Sequence, residues 1–185
     1  MIKTALPVIS SMSSGVQCAL ACVERGWPVI PGASWLDNAY VDPVLGHERD
    51  ALALCPPDMA TMDEDLVRRW WPVLPSRLQR SVLVVTQPNL VAVVVESERA
   101  KRVVELESFR ENPTPAVLVP TWDQKEEAMF LLSSSRRLTG ENLAPVSATI
   151  PMPPAVVEGR EVRWLSPMTD CESLMAGEEL ALLLR

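Results

Sequence analysis

Asp63-Glu64-Asp65-Leu66-Val67-Arg68-Arg69-Trp70-Trp71, and beyond Pro72 the apolar run Ser81-Val82-Leu83-Val84-Val85-Thr86-Gln87-Pro88-Asn89-Leu90-Val91-Ala92-Val93-Val94-Val95-Glu96, carry most of the fold information in this chain. The first part reads as a helix. Asp63, Glu64 and Asp65 lie where the positive end of a helix dipole favours acids, and Arg68 and Arg69 lie at the opposite end. Met62 or Asp63 begins this helix, and Pro72 ends it just after the Trp-Trp pair, which reads as core packing at a helix end. The second part reads as a hairpin of two strands, Ser81 to Val85 and Leu90 to Val95, with a turn at Thr86 to Asn89. Neither strand alternates apolar with polar residues, so burial on both faces is expected. Trp27, Trp70 and Val91 to Val95 are the expected core.

Upstream, Ser13 or Ser14 caps a helix running to about Arg25, with Val16, Leu20 and Val23 at helical spacing. Gly26 stops it. Trp27 to Ile30 is a short strand ended by Pro31-Gly32. Val8 to Met12 is ambiguous. Ala33 to Pro57 shows no period and contains Pro43, Gly46, Pro56 and Pro57, so a long loop with at most one helical turn is expected. His47, the only histidine, falls in it and reads as an exposed loop residue without a catalytic partner.

Downstream, Val103, Val104 and Leu106 among charges make Ser97 to Phe109 an amphipathic helix, closed off by Pro113 and Pro115. Ala116 to Val119 and Ala128 to Leu132 form another hairpin, joined by the polar segment Pro120 to Glu127. Ser133 to Gly140 is a loop holding Arg136 and Arg137. Val146 to Met152 and Arg160 to Leu165 are further strands, and Glu172 to Leu184 is a terminal helix. Helices between and after antiparallel-type strand pairs indicate an α+β fold. One domain over 1–185 is expected, with 1–60 as an N-terminal helix-strand unit and loop and 61–185 as the main body.

Composition narrows the function. The 48% hydrophobic content is ample for a core, and 17 prolines imply short elements between stiff loops. A net charge of −7 argues against a duplex DNA binder, because phosphate neutralisation supplies much of such affinity. Cys18, Cys22, Cys55 and Cys171 include no CxxC pair, and they read as buried free thiols in a reducing cytosol. No signal peptide is expected, since Pro7 and a Ser-rich run interrupt the N-terminal apolar residues, and no apolar stretch reaches the roughly 18 residues of a membrane span. No Walker loop, HExxH, GxSxG or EF-hand pattern occurs.

Gly26-Trp27-Pro28-Val29-Ile30-Pro31, Ala60-Thr61-Met62-Asp63, Arg69-Trp70-Trp71, Val82 to Val85 with Thr86-Gln87, and Pro153-Pro154, Gly159 and Val162-Arg163-Trp164 occur in one order over most of the chain. This ordered set resembles the N-terminal domain of bifunctional DNA primase/polymerases, the prim-pol branch of the archaeo-eukaryotic primase superfamily. The resemblance implies a primase-like (RRM-like) mixed or antiparallel sheet with helices packed on it. It also implies acids that hold two divalent cations against the incoming nucleotide's phosphates.

Those acids are largely missing from the matching positions, with Glu96 left to stand for one of them in one register. The family's Asp-x-Asp falls on Val94-Val95-Glu96, and sliding the match back puts valine at both places. The family's phosphate-contacting histidine falls on Glu127, whose carboxylate would repel a triphosphate. The third motif, an acid before a Gly-Gly strand, falls near Asn142 and Ser147-Ala148. Ser34-Trp35 and Asp37 stand where a basic residue with proline often follows the first strand.

The resemblance therefore implies a catalytically inactive domain acting as a binding or regulatory protein in the cytoplasm. Val94, Glu96, Glu127 and Asn142 are vestigial motif positions, and no catalytic residue, metal or cofactor is expected. A protein is the expected partner; charge disfavours nucleotide or nucleic acid. Two alternatives stay open: an active nucleotidyltransferase using Mg or Mn through displaced motifs, and an unrelated acidic adaptor. Glu96, Glu98, Asp123, Glu126 and Glu127 are also candidates for a new metal site, though solvated charge at strand ends and in a loop explains them.

Overall fold

Ser14 starts the first described element: its hydroxyl accepts from the Gln17 N–H at 3.4 Å and caps α1 (Gly15–Glu24). In this computed structural model residues 14–72, 78–111, 113–133, 141–166 and 168 are described. The α1 face formed by Cys18, Ala19, Ala21, Cys22 and Val23 is buried, and α1 packs on α2, β1 and β5. Gly26 takes a φ of +73°, a left-handed helix end that glycine adopts without strain, and turns the chain into buried Trp27 and β1 (Val29–Gly32).

The segment expected as a long loop is instead a three-stranded antiparallel meander, β2 (Ser34–Leu36), β3 (Ala39–Asp42) and β4 (His47–Arg49). Its strands are only three or four residues long, too short to display a period. The turn chemistry is nevertheless explicit. Asp37 and Asn38 take φ of 50° and 66°, the left-handed pair of a two-residue hairpin turn, and Gly46 takes +71° in the next turn. Trp35 and Tyr40 pair edge to face across β2 and β3, with ring centroids 4.8 Å apart. His47 is exposed as expected, but on strand β4 rather than in a loop.

A 3-10 turn (Pro57–Met59) leads to α2 (Glu64–Trp70). Asp63 caps α2 by accepting from the Asp65 and Leu66 N–H groups at 2.8 and 3.1 Å. Of the two tryptophans, Trp71 is buried and donates its indole N–H to the Arg80 carbonyl at 3.1 Å. Trp70 is half-buried against the same core.

β5 (Ser81–Val85) and β6 (Leu90–Glu96) do not pair with each other, contrary to the hairpin expected from sequence. β5 lies between β1 and β9 (Thr149–Met152), while β6 borders a second sheet. Thr86 explains the divergence. It is buried, its hydroxyl donates to the Pro145 carbonyl at 2.7 Å, and its backbone bonds Ala148 and Ser147. The turn thus stays with β9, and the chain leaves it for the other sheet.

That second sheet is antiparallel with order β12-β7-β8-β6, from β7 (Ala116–Pro120), β8 (Glu126–Ser133) and β12 (Arg163–Ser166). The β7–β8 hairpin is where the sequence put it. The helix expected over residues 97–109 is broken into α3 (Ser97–Val104) and α4 (Glu107–Glu111). The Leu106 N–H bonds the Val103 carbonyl at 3.1 Å, a tight turn that ends the α-helical ladder. β10 (Val156–Val157) and β11 (Arg160–Glu161) make a small hairpin ahead of β12, so the stretch expected as one strand is two.

Side-chain alternation in β6 feeds two cores. Leu90 and Ala92 join Trp27, Trp71, Val117, Leu131 and Met152 on the face shared with α1 and the β1-β5-β9 sheet. Val93 and Val95 join Val103, Phe109 and Phe130 on the face covered by α3 and α4. Val91 and Val94 are half-buried. The architecture is α+β. Among the described residues no helix is long and apolar enough to cross a membrane. Val8 to Met12, Arg136, Arg137, Cys171 and the expected helix over residues 172–184 lie outside the described residues.

Candidate functional site

The antiparallel register of β6 and β8 brings together positions distant in sequence: Val94 lies opposite Met129, Val95 opposite Ala128, and Glu96 opposite Glu127. The Val94 N–H donates to the Asn142 carbonyl at 2.7 Å, and the Ala144 N–H donates to the Ala92 carbonyl at 2.9 Å. Residues 142–144 therefore run along the outer edge of β6. Val94, Glu96, Glu127 and Asn142, separated in sequence, meet at one end of the four-stranded sheet.

Side-chain direction follows from the pleat. Val94 and Glu96 alternate onto the same face as Leu90 and Ala92, and Glu127 onto the same face as Met129 and Leu131. Glu96 is exposed and Glu127 half-buried. Directly opposed residues place their Cβ atoms about 5 Å apart, close enough for like charges to repel. Neither carboxylate has a hydrogen-bond or ion-pair partner among the described residues.

The neighbouring charges are matched. Asp123 pairs with Lys125 at 3.1 Å, Glu126 with Arg163 at 2.6 Å, and Glu98 with Lys101 at 2.6 Å. The Thr121 hydroxyl and the Lys125 ammonium hold the Asp123 carboxyl below its ordinary range. Lys101 does the same for Glu98. Of the five acids that the sequence offered as a new metal site, three are thus engaged with cations. Among the described residues no group of three or more His, Cys, Asp or Glu side chains is arranged to hold a metal.

The residues present do not fit the two-cation site of the resemblance. Val94 offers no donor atom at the first acid position. Ser147 and Ala148 lie apart from Glu96: the Ala148 N–H donates to the Thr86 hydroxyl at 2.9 Å, beside β5. Ser34 is buried in β2, where its hydroxyl donates to the Gln79 carbonyl at 2.6 Å. Cys18 and Cys22 are buried free thiols in α1, and Cys55 is half-buried. A hydrogen bond with Cys18, together with burial, pushes the Cys22 thiol well up, which keeps it unreactive.

Sequence reading passed over Trp122. It stands 83% exposed in the turn of the β7–β8 hairpin, beside this sheet end. The available signal was a lone aromatic in an otherwise polar connection. Comparison of the chain with protein-family models, with curated proteins and with solved structures finds no match.

Proposed function

We propose that this chain is a primase/polymerase-like domain that has lost phosphoryl-transfer chemistry and acts by binding, with a protein as partner. The observation that supports the reading best is the chemistry at the joined end of β6 and β8. Val94 stands at the position of a metal-binding acid, and an anionic Glu127 stands opposite Glu96 at the position of a phosphate-contacting histidine. Phosphoryl transfer needs positive charge around the phosphates. This pair supplies negative charge instead. The finer fold assignment, an RRM-like primase sheet, belongs to the same proposal. So does a cytoplasmic location, which the free thiols of Cys18, Cys22 and Cys55 suit.

Primer extension on a DNA template with Mg or Mn tests the reading. No incorporation is expected, and V94D/E127H should not restore it, because the third acid and both glycines are also missing. Template-dependent incorporation by the native protein, abolished by Glu96→Ala, would overturn it. Calorimetry with a nucleoside triphosphate and Mg gives an independent check; micromolar binding lost in Glu96→Ala would show a working site.

A further inference from the structure

We infer that the end of the four-stranded sheet, with Trp122 as its apolar anchor and Glu96 and Glu127 as its charged rim, is a docking surface for a basic protein segment that packs a large apolar side chain on the indole and sets lysine or arginine beside the two carboxylates. The inference deepens the binding role proposed above and rests on it, but not on primase ancestry.

Two independent observations converge there. The first is the presentation of Trp122. Burying an indole is among the most favourable events at an interface, yet here it is 83% exposed. Its turn is well ordered by hydrogen bonds. The Thr121 N–H donates to the Lys125 carbonyl at 3.0 Å, and the Gln124 N–H donates to the Thr121 carbonyl at 3.1 Å. The Thr121 hydroxyl bonds the Asp123 carboxylate, and Arg160 reaches the Thr121 carbonyl from β11. Gln124 is held at a φ of 67°. A pre-ordered turn loses little freedom on binding, so more of the contact energy reaches the affinity.

The second observation is the charge. Lys101, Lys125 and Arg163 are each engaged with a carboxylate, and Arg160 is turned to the Thr121 carbonyl. Glu96 and Glu127 oppose each other across the ladder without a cation among the described residues. Like charges in directly opposed strand positions are unfavourable. A basic side chain from outside relieves that repulsion. Pro120 pairs with Glu126, so the turn holding Trp122 begins one pair beyond Val119 and Glu127. Both features therefore lie at the same end of the sheet. The same carboxylates repel a phosphate backbone, which favours protein over nucleic acid.

Selection from a random peptide display library on the native protein tests this, followed by affinity measurement on variants. Selected peptides should combine Lys or Arg with a large apolar residue, and binding should weaken with salt. W122A should reduce affinity about 30-fold, the scale of an interface hot spot, and E96Q/E127Q about tenfold. E48Q/D58N removes the same formal charge from exposed positions elsewhere and should change affinity less than about twofold. Circular dichroism should show all variants folded, since Trp122 and Glu96 are exposed. Failure to select any peptide whose binding depends on Trp122 would overturn the proposal, as would equal losses in E96Q/E127Q and the control. Oligo(dT) binding lost in W122A would assign the surface to single-stranded nucleic acid instead. Primer extension by the native protein would remove the inactive reading while leaving the outcome of these peptide measurements to stand separately.

Discussion

Replacing Arg80 by alanine should destabilise the protein by about 3–5 kcal/mol, the cost of leaving one member of a buried ion pair unmatched. The Arg80 and Asp42 side chains are 13% and 6% exposed. Arg80 Nη2 lies 2.9 Å from both Asp42 carboxylate oxygens, and Nη1 donates to the Trp70 carbonyl at 2.7 Å. One guanidinium therefore ties β3 to the end of α2 and to the start of β5. Removing it strands a buried carboxylate and a helix-terminal carbonyl together. Asp42→Ala should cost a similar amount by stranding the guanidinium. The double variant D42A/R80A should lose clearly less than the sum, because neither charge is then left alone. Urea titration followed by tryptophan fluorescence measures all four proteins. Against a total stability of about 5–15 kcal/mol for a domain, the single variants approach unfolding. The acid limb adds a second signature. Burial opposes ionisation of Asp42 most strongly, but the Val44 N–H, the Arg80 guanidinium and the Leu45 N–H together outweigh it and hold the carboxyl below its ordinary value. A depressed carboxyl contributes stability above its unfolded value and loses it as pH falls through the folded one. The gap between native protein and Arg80→Ala should therefore narrow as pH drops below the ordinary aspartate range. Single-variant losses under about 1 kcal/mol, or strict additivity in the double, would refute this reasoning.

Gly15→Ala should destabilise by about 1–3 kcal/mol despite the better helix propensity of alanine, because the new Cβ would stand 2.6 Å from the Arg80 carbonyl oxygen and 3.1 Å from Trp71 Cδ1. A melting temperature equal to or above the native value would contradict that. Trp27→Ala should cost about 3–5 kcal/mol through loss of a buried indole that also donates to the Ser133 hydroxyl at 3.4 Å. Denaturant titration checks it, and a loss below about 1 kcal/mol would show that the cavity collapses.

The candidate site was half legible. Val94, Glu96, Glu127 and Asn142 were singled out as positions in an ordered motif set, and the register of β6 on β8, with residues 142–144 along the edge, makes them neighbours. What the sequence did not disclose is charge matching. Asp123, Glu126 and Glu98 look like Glu96 and Glu127 in a string of letters. Only the placement of Lys125, Arg163 and Lys101 separates three paired acids from two that have no cation among the described residues. Trp122 was equally silent, because exposure depends on what the rest of the chain brings to the turn.

Local chemistry was enough for the helix that starts at Asp63, the stop at Gly26 and the apolar strands around Val84 and Val93. Caps, glycine conformations and apolar runs act within a few residues, so a short window contains their cause. The β7–β8 hairpin was legible for the same reason. The meander over residues 34–49 was not, because strands of three or four residues carry no period and their burial comes from elsewhere. Nor was the parting of β5 from β6. Both are valine-rich, and nothing within either selects a partner. The tertiary structure selects it through Thr86, whose buried hydroxyl and backbone engage residues about 60 positions away and send the two strands into different sheets. Pairing between distant segments is a property of the whole packed chain, because the energy that selects a partner is not present until both are assembled.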